Sequence, residues 1–120
     1  MAGARMRRVN EAVREVLSSQ LARGLKDPRI GFVTVTGVDT SPDLRAARVY
    51  VSILGDEGER EAALEGLESS RGFLQAQIAH ELRMKRTPAL SFVYDETVAR
   101  ADRMTRLIEE VAPRDEEDQS

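Results

Sequence analysis

Three cations crowd into four positions at Arg83, Lys85 and Arg86, where a predicted helix ends. Cations at a helix C-terminus interact favourably with the helix dipole, but three exceed what that interaction needs. Dense cationic clusters are typical of contacts with the phosphate groups of nucleic acids. We therefore predict phosphate contacts here and at a second arginine group near the start of the chain. That second group consists of Arg5, Arg7 and Arg8.

A third candidate is the short segment Ser70-Arg71-Gly72, which interrupts a helical pattern. Serine favours local hydrogen bonds and glycine is a poor helix former, so the segment predicts a kink between two helices. Glycine would let a nucleic-acid backbone approach closely, and the resumed helix would offer free N–H groups to an anion. A kink that only lets two short helices pack together fits the spacing equally well.

Two other motif matches do not indicate a nucleic-acid-binding site. Gly55-Asp56-Glu57-Gly58 has the G-x-x-G pattern of a KH loop, but it lies between a strand and a helix, and its acids would repel phosphates. Arg71-Gly72-Phe73 resembles the start of an RNP1 box, but the next residues do not continue it. We therefore expect Phe73 to lie in the core.

The net charge of −3 conceals an alternation along the chain. Residues 1–29 carry +4, residues 30–70 carry −5, residues 71–106 carry +3 and residues 107–120 carry −5. This segregation can build a basic face on an acidic body, which is typical of proteins that bind polyanions. The alternative is a set of solvated helix faces with internal ion pairs, such as Arg7 with Glu11.

Catalytic and metal-site patterns are missing from the sequence. There is no cysteine and a single histidine, His80, and we find no phosphate-binding P-loop and no hydrolase or metalloprotease motif. The longest apolar runs are three residues, far short of the roughly 20 needed to cross a bilayer. We expect a cytoplasmic protein without cofactor, metal or enzymatic activity.

Apolar periodicity predicts the elements that position the candidate residues. A stripe from Val9 to Leu21 predicts a helix over 5–24, and alternation predicts strands over 32–38 and 46–54, with a bulge or bend at Gly37. Two kinked helices over 59–86 and a strand over 90–94 follow. The order α-β-β-α-kink-α-β predicts an α+β domain, with helices on one face of a mixed three-stranded sheet.

The remaining residues predict one more helix and a tail. Asp95 can cap a helix that carries Val98, Ala101, Ile108 and Val111, and Pro113 would end it. We expect a single domain over residues 1–111, followed by an acidic, disordered tail over residues 112–120.

An ordered set of short motifs resembles the ribosome-binding factor A family, bacterial factors for assembly of the small ribosomal subunit. Together the motifs span roughly residues 5–108. They are Met6-Arg7-Arg8-Val9-Asn10-Glu11, Leu25-Lys26-Asp27-Pro28-Arg29-Ile30, Val33-Thr34-Val35-Thr36-Gly37-Val38, Asp43-Leu44-Arg45-Ala46-Ala47-Arg48-Val49-Tyr50-Val51-Ser52, Arg83-Met84-Lys85-Arg86-Thr87-Pro88-Ala89-Leu90-Ser91-Phe92-Val93-Tyr94-Asp95 and Arg103-Met104.

The resemblance implies a type II KH-like fold in which an Ala-x-Gly kink replaces the G-x-x-G loop. Here Ser70 stands at the alanine position. It also implies a monomer without catalytic activity that binds the immature 30S subunit and the 5′-terminal region of its 16S rRNA. Such a protein would assist late maturation and 5′-end processing, matter most in the cold, and be released with help from a GTPase.

These observations predict an RNA-binding assembly factor that recognises the shape and the sugar-phosphate backbone of RNA. The five aromatic residues mostly fall at core-facing positions in the predicted elements, so we do not expect rows of stacked bases. The rival interpretations are a protein-interaction module that uses the acidic block and tail, and a small hydrolase that uses clustered acids. The aromatics are Phe32, Tyr50, Phe73, Phe92 and Tyr94. The predicted RNA-binding residues are Arg5, Arg7, Arg8, Ser70, Arg71, Gly72, Arg83, Lys85 and Arg86.

Overall fold

The computed structural model describes residues 3–97, and the predicted order α-β-β-α-kink-α-β is confirmed there. Glu96 and Thr97 begin the predicted last helix, and Asp95 Oδ1 accepts a hydrogen bond from Thr97 N at 3.0 Å, as expected of its cap. The rest of that helix and the tail over 112–120 lie outside the described residues. The six elements are α1 (Gly3–Arg23), β1 (Val33–Thr40), β2 (Ala46–Ile53), α2 (Glu57–Ser69), α3 (Arg71–Leu82) and β3 (Ala89–Tyr94).

The three strands form one mixed sheet with β2 in the centre. β1 and β2 pair antiparallel, with Val33 opposite Ile53. β2 and β3 pair parallel, with Ala46 opposite Ala89. The register of β1 shifts between Val35 and Gly37, so the bulge predicted at Gly37 is confirmed. The shift returns Thr40 to the buried side of the strand.

The helices cover one face of this sheet, as predicted. Alternate residues of β2 are buried because successive side chains of a strand point to opposite faces. The helices contribute leucines, a valine, an alanine and an isoleucine to the same core. The buried apolar side chains are Val13, Leu17, Val35, Ala47, Val49, Val51, Ile53, Ala63, Leu67, Leu74, Ile78 and Leu90.

The acids of the rejected G-x-x-G match have a structural role at the start of α2. The Asp56 carboxylate accepts a hydrogen bond from Glu59 N at 2.8 Å, and Glu59 Oε1 accepts one from Asp56 N at 2.9 Å. This reciprocal pair is a capping box, which satisfies backbone donors that a helix start leaves free. The acidic residues therefore begin a helix, and no phosphate contact is needed to explain them.

Candidate nucleic-acid interface

Helix α1 carries its three N-terminal arginines to the end of the sheet where β1 ends. The Asn10 side chain accepts a hydrogen bond from Thr40 N, the last residue of β1, at 2.9 Å. Because α1 leads back through a loop to the start of β1, it runs antiparallel to that strand. The segment before Asn10 therefore extends up to about 10 Å beyond Thr40, at 1.5 Å per helical residue. Arg5, Arg7 and Arg8 are all exposed on it.

The loop from α3 to β3 reaches the same end of the sheet. Arg83 ends α3 in the left-handed conformation, with φ 52° and ψ 43°, and reverses the chain. Lys85 and Arg86 follow and are exposed. Ala89 N then donates to Arg45 O at 2.9 Å, which places the loop beside the start of β2. The structure therefore brings the two predicted arginine and lysine clusters to one end of the molecule.

A turn between β1 and β2 adds a cation that the sequence analysis did not single out. Asp43 Oδ1 accepts hydrogen bonds from Ser41 Oγ at 2.7 Å and from Arg45 N at 3.1 Å. These bonds, led by the one from the Ser41 hydroxyl, lower the pKa of Asp43. Leu44 has a φ of 62° within this compact turn. Arg45 is exposed, and its one carboxylate neighbour among the described residues, Asp43, is 3.9 Å away.

We call this cationic surface the basic end. Among residues 3–97, none of its cations except Arg45 lies within 4 Å of a carboxylate. Glu11 pairs with Arg14 rather than with Arg7, and this ion pair lowers the pKa of Glu11. The basic end consists of Arg5, Arg7, Arg8, Arg45, Arg83, Lys85 and Arg86.

The arginines of α1 do not all face the same way. Arg5 and Arg8 share a helix row with Ala12 and Ser19, which line a groove of about 270 Å³ between α1 and α3, together with Leu82. Arg7 follows another row, seven residues before Arg14. Arg5 and Arg8 therefore lie on the side of α1 nearer the α3–β3 loop, whereas Arg7 does not.

The kink between α2 and α3 is confirmed, but its geometry differs from expectation at Gly72. Ser70 alone leaves the helical conformation, with φ −90° and ψ 0°. Gly72 lies inside the first turn of α3, and a Cβ added there would meet nothing within 4 Å. The bend falls at Ser70, which makes no side-chain cap, and no neighbouring atom bars a side chain at Gly72.

A loop that enters β1 packs tightly against the end of α2, just before the kink. The Arg29 guanidinium donates to Asp27 at 2.6 and 3.0 Å and to Ser69 Oγ at 2.9 Å. The bonds from Arg29 hold the pKa of Asp27 at about 2. A Cβ at Gly66 would approach Ile30 Cγ1 to 2.7 Å, so only glycine lets this loop lie so close to the helix.

The kink therefore lies at the opposite end of β1 from the basic end. Two of the three cations around it, Arg29 and Arg71, have acidic neighbours, whereas Lys26 is exposed and has no carboxylate within 4 Å among the described residues. Arg71 Nη1 lies 3.3 Å from Glu68 Oε1, and Arg29 Nη1 lies 3.7 Å from Glu65 Oε1. We call this region the kink end, formed by residues 24–32 and 65–73. The predicted RNA-binding residues thus fall into two separate groups: Arg5, Arg7, Arg8, Arg83, Lys85 and Arg86 at the basic end, and Ser70, Arg71 and Gly72 at the kink end.

The predicted core positions of two aromatic residues are wrong. Phe73, which was expected in the core, is 51% exposed, and Phe32, one of five aromatic residues expected mostly at core-facing positions, is 80% exposed. Phe32 precedes β1 and lies beside Leu54, which is 74% exposed and donates its N–H to Phe32 O at 3.1 Å. Tyr50, Phe92 and Tyr94 are partly buried. The Arg60 guanidinium lies 4.8 Å from the ring centroid of Tyr94 at the end of β3.

Two further observations concern residues 3–97 only. No group of three or more histidine, cysteine, aspartate or glutamate side chains is placed to hold a metal ion. No helix in this range combines the length and the apolar character needed to cross a membrane. His80 is exposed on α3, as expected of a surface histidine.

Comparison with known proteins gives a consistent set of relatives. Ribosome-binding factor A from Anaeromyxobacter dehalogenans is 56% identical over 111 residues, covering 92% of this chain and 80% of the relative. The crystal structure of ribosome-binding factor A from Thermus thermophilus superposes with a TM-score of 0.65 at 30% identity, covering 74% of this chain and 94% of that one.

A second Thermus thermophilus structure is a homology model of ribosome-binding factor A fitted into a cryo-EM map of its complex with the 30S subunit. It matches with a TM-score of 0.56 at 32% identity, covering 74% of this chain and 89% of that one. The profile of the family described as ribosome-binding factor A matches residues 5–108. The chain, with its KH-like order of elements and its basic end, belongs to the ribosome-binding factor A family.

Proposed function

We propose that this chain is a non-catalytic assembly factor that binds the immature small ribosomal subunit through its basic end. The observation that carries the proposal is the meeting, at one end, of exposed cations from α1 and the α3–β3 loop that have no carboxylate partners among the described residues. Such cations release counterions when they contact phosphates, which supplies most of the sequence-independent affinity for RNA. The 30S complex formed by the Thermus thermophilus relative supports the same partner here.

The basic end is suited to the backbone of base-paired RNA. Its described residues include no aromatic side chain, and the two most exposed aromatics of residues 3–97, Phe32 and Phe73, lie at the kink end. Proteins that bind unpaired bases usually stack them on aromatic side chains, whereas A-form duplexes are recognised by shape and phosphate contacts. Clustered phosphates along a duplex therefore fit this surface better than splayed bases do.

The finer function follows from the family resemblance. We propose that the protein contacts the 5′-terminal region of 16S rRNA, assists late maturation and 5′-end processing, and matters most in the cold. We also propose that it acts as a cytoplasmic monomer and that a GTPase assists its release. A deletion strain should then accumulate precursor 16S rRNA with an unprocessed 5′ end, more so at low temperature. Normal 5′ ends at every temperature would contradict this part of the proposal.

The main test is a salt titration of binding to small subunits purified from that deletion strain. The logarithm of the binding constant should fall linearly with the logarithm of salt concentration, by about 0.7 to 0.9 per phosphate contacted. Mature subunits from a wild-type strain provide the comparison and should bind more weakly. An affinity that stays flat from low to moderate salt would overturn the electrostatic mode of binding.

A protein contact is the second candidate function, and one observation favours it. Phe32 and Leu54 form an exposed apolar pair at the kink end, and large exposed apolar side chains often mark protein–protein contacts. If this pair carries the affinity for the subunit, Phe32→Ser with Leu54→Ser should abolish binding. In addition, binding of the parent protein to the subunit should depend only weakly on salt. Retained binding by this variant would exclude the second candidate.

A further inference from the structure

The N-terminal half of α1 has an unfavourable charge distribution for a helix. Its first turn contains no acidic residue, and Arg5, Arg7 and Arg8 follow in the first two turns. Cations near a helix N-terminus oppose the helix dipole, and neighbouring arginines repel one another. This segment also extends beyond the strand against which the rest of α1 packs. Its order therefore depends on whatever joins α1 to the end of the sheet.

Besides the packing of the partly buried Val9 against the core, one side-chain hydrogen bond makes that connection. Asn10 Oδ1 accepts from Thr40 N at 2.9 Å, and within residues 3–97 no other side-chain hydrogen bond joins α1 to a strand. Thr40 is only 5% exposed, and its own hydroxyl oxygen has no partner among the described residues. A buried N–H that loses its acceptor is costly, so the Asn10 bond strongly favours one position of the helix on the strand.

We infer that Asn10 is a positioning residue for RNA binding, which fixes the arginines of α1 relative to the cations of the α3–β3 loop. The inference rests on the proposed function of the basic end. Asn10 itself is neutral and need not contact RNA. Its anchor keeps Arg5 and Arg8 on the side of α1 nearer the α3–β3 loop, so that one stretch of RNA backbone can meet both groups. Without the anchor, the arginines would have to be ordered again at each binding event.

The first arm of the test is the Asn10→Ala variant. We expect binding to immature subunits to weaken about fivefold, the scale of ordering two long side chains on binding. The salt slope should also fall, by up to about 1.5, although no charge has been removed. Hydrogen exchange should quicken at the Thr40 amide and in residues 7–9, whose amides have acceptors within α1, while amides of β2 keep their protection.

The second arm is a pair of double-mutant cycles, which separate positioning from a general loss of stability. In the background Arg5→Gln with Arg8→Gln, the substitution Asn10→Ala should have no further effect, because nothing is left to position. In the background Lys85→Gln with Arg86→Gln, Asn10→Ala should keep at least part of its effect. Equal losses in both backgrounds would overturn the inference and assign Asn10 a purely structural role.

The third arm uses Asn10→Asp, which keeps an acceptor for the Thr40 N–H. Protection of the Thr40 amide and of residues 7–9 should then match the parent protein, whatever the added charge does to RNA affinity. Loss of protection in Asn10→Asp would contradict the anchoring role. If the parent protein itself fails to bind subunits, the proposed function fails, whereas the exchange measurements still decide whether Asn10 orders the start of α1.

Discussion

The basic end and the kink end both present cations in the sequence, yet the structure gives those cations different surroundings. At the basic end, Lys85 and Arg86 have no carboxylate within 4 Å among the described residues. At the kink end, Arg71 has Glu68 beside it and Arg29 is bound by Asp27. A count of basic residues therefore does not locate an RNA surface. What matters is whether their charge is already balanced by neighbours on the folded chain.

The two ends also differ in how they are held. The kink end is close-packed, because Ile30 lies against Gly66 with no space for a side chain between them. The basic end is held by polar contacts, such as Asn10 with Thr40 and Ser41 with Asp43. The close packing at the kink end contributes to the stability of the fold. The polar contacts at the basic end orient charged segments whose apolar residues, such as Val9 and Met84, pack against the core only in part.

The sharpest way to test this comparison is to remove two cations from each end. Lys85→Gln with Arg86→Gln should weaken binding to immature subunits by roughly 10- to 40-fold near 0.1 M salt, and reduce the salt slope by about 1.4 to 1.8. The matched variant Lys26→Gln with Arg71→Gln removes the same charge at the kink end. It should stay within about threefold of the parent, because few phosphates are contacted there. The reverse order would assign RNA binding to the kink.

Two glycines of the kink region should respond in opposite ways to alanine. Gly66→Ala should lower the free energy of unfolding by about 1 to 2 kcal/mol, because Ile30 must move away from the new Cβ. Gly72→Ala should raise it by up to about 1 kcal/mol, because Gly72 is helical and open. Urea unfolding curves measure both values. A destabilised Gly72→Ala variant would mean that the kink needs glycine after all.

The acidic tail offers a smaller expected effect. Its charges, carried by Asp115, Glu116, Glu117 and Asp118, should repel RNA. Stopping the chain after Pro113 should leave the melting temperature unchanged, and RNA binding unchanged or slightly tighter. The measurement is the same subunit-binding assay beside a thermal melt. A clear loss of binding on truncation would favour a protein contact through the acids.

The smallest expected effect concerns pH and the Asp27–Arg29 pair. The bonds from Arg29 lower the pKa of Asp27 from 3.8 to about 2 in the folded protein. Because the folded pKa is the lower one, the pair contributes stability above about pH 4 that is lost as the pH falls towards 2. Asp27→Asn should therefore make the melting temperature depend less on pH between about pH 4 and pH 2. Parallel pH profiles of variant and parent would show that the pair does not stabilise the fold.

Much of the fold was predictable from local patterns. The stripe in α1 and the alternation in β2 follow directly from the periods of 3.6 and 2 residues. The bulge at Gly37 was visible because Val35 and Val38 fall on opposite phases. These features depend on neighbours within a few positions, so a single sequence contains the information needed to predict them.

The errors at aromatic positions have a geometric reason. Phe32 precedes the first residue of β1, so it is not on the inward row that Val33 and Val35 form. Phe73 lies about 100° around α3 from the buried Leu74, which turns it towards solvent. The exact positions of these two residues relative to the element boundaries determined the outcome.

The candidate site was only partly predictable, because charge neighbours depend on tertiary structure. The spacing of Arg7 and Glu11 permitted an ion pair, but Glu11 turns to Arg14 instead. The contact between Arg29 and Ser69 joins residues 40 positions apart, and no local pattern indicates it. Arg45 joins the basic end only because β2 and β3 start side by side.

The parallel pairing of β2 with β3 makes the order of folding matter. Ala46 lies opposite Ala89, so β3 can dock only after α2 and α3 have bridged the two strands. Closing so long a loop is slow compared with forming the β1–β2 hairpin. The α3–β3 loop, which carries Lys85 and Arg86, is fixed beside the start of β2 only when β3 docks. A chain whose synthesis has just passed β2 thus carries the arginines of α1 but no complete basic end. If the basic end binds RNA as proposed, affinity for RNA arrives with the last strand of the sheet.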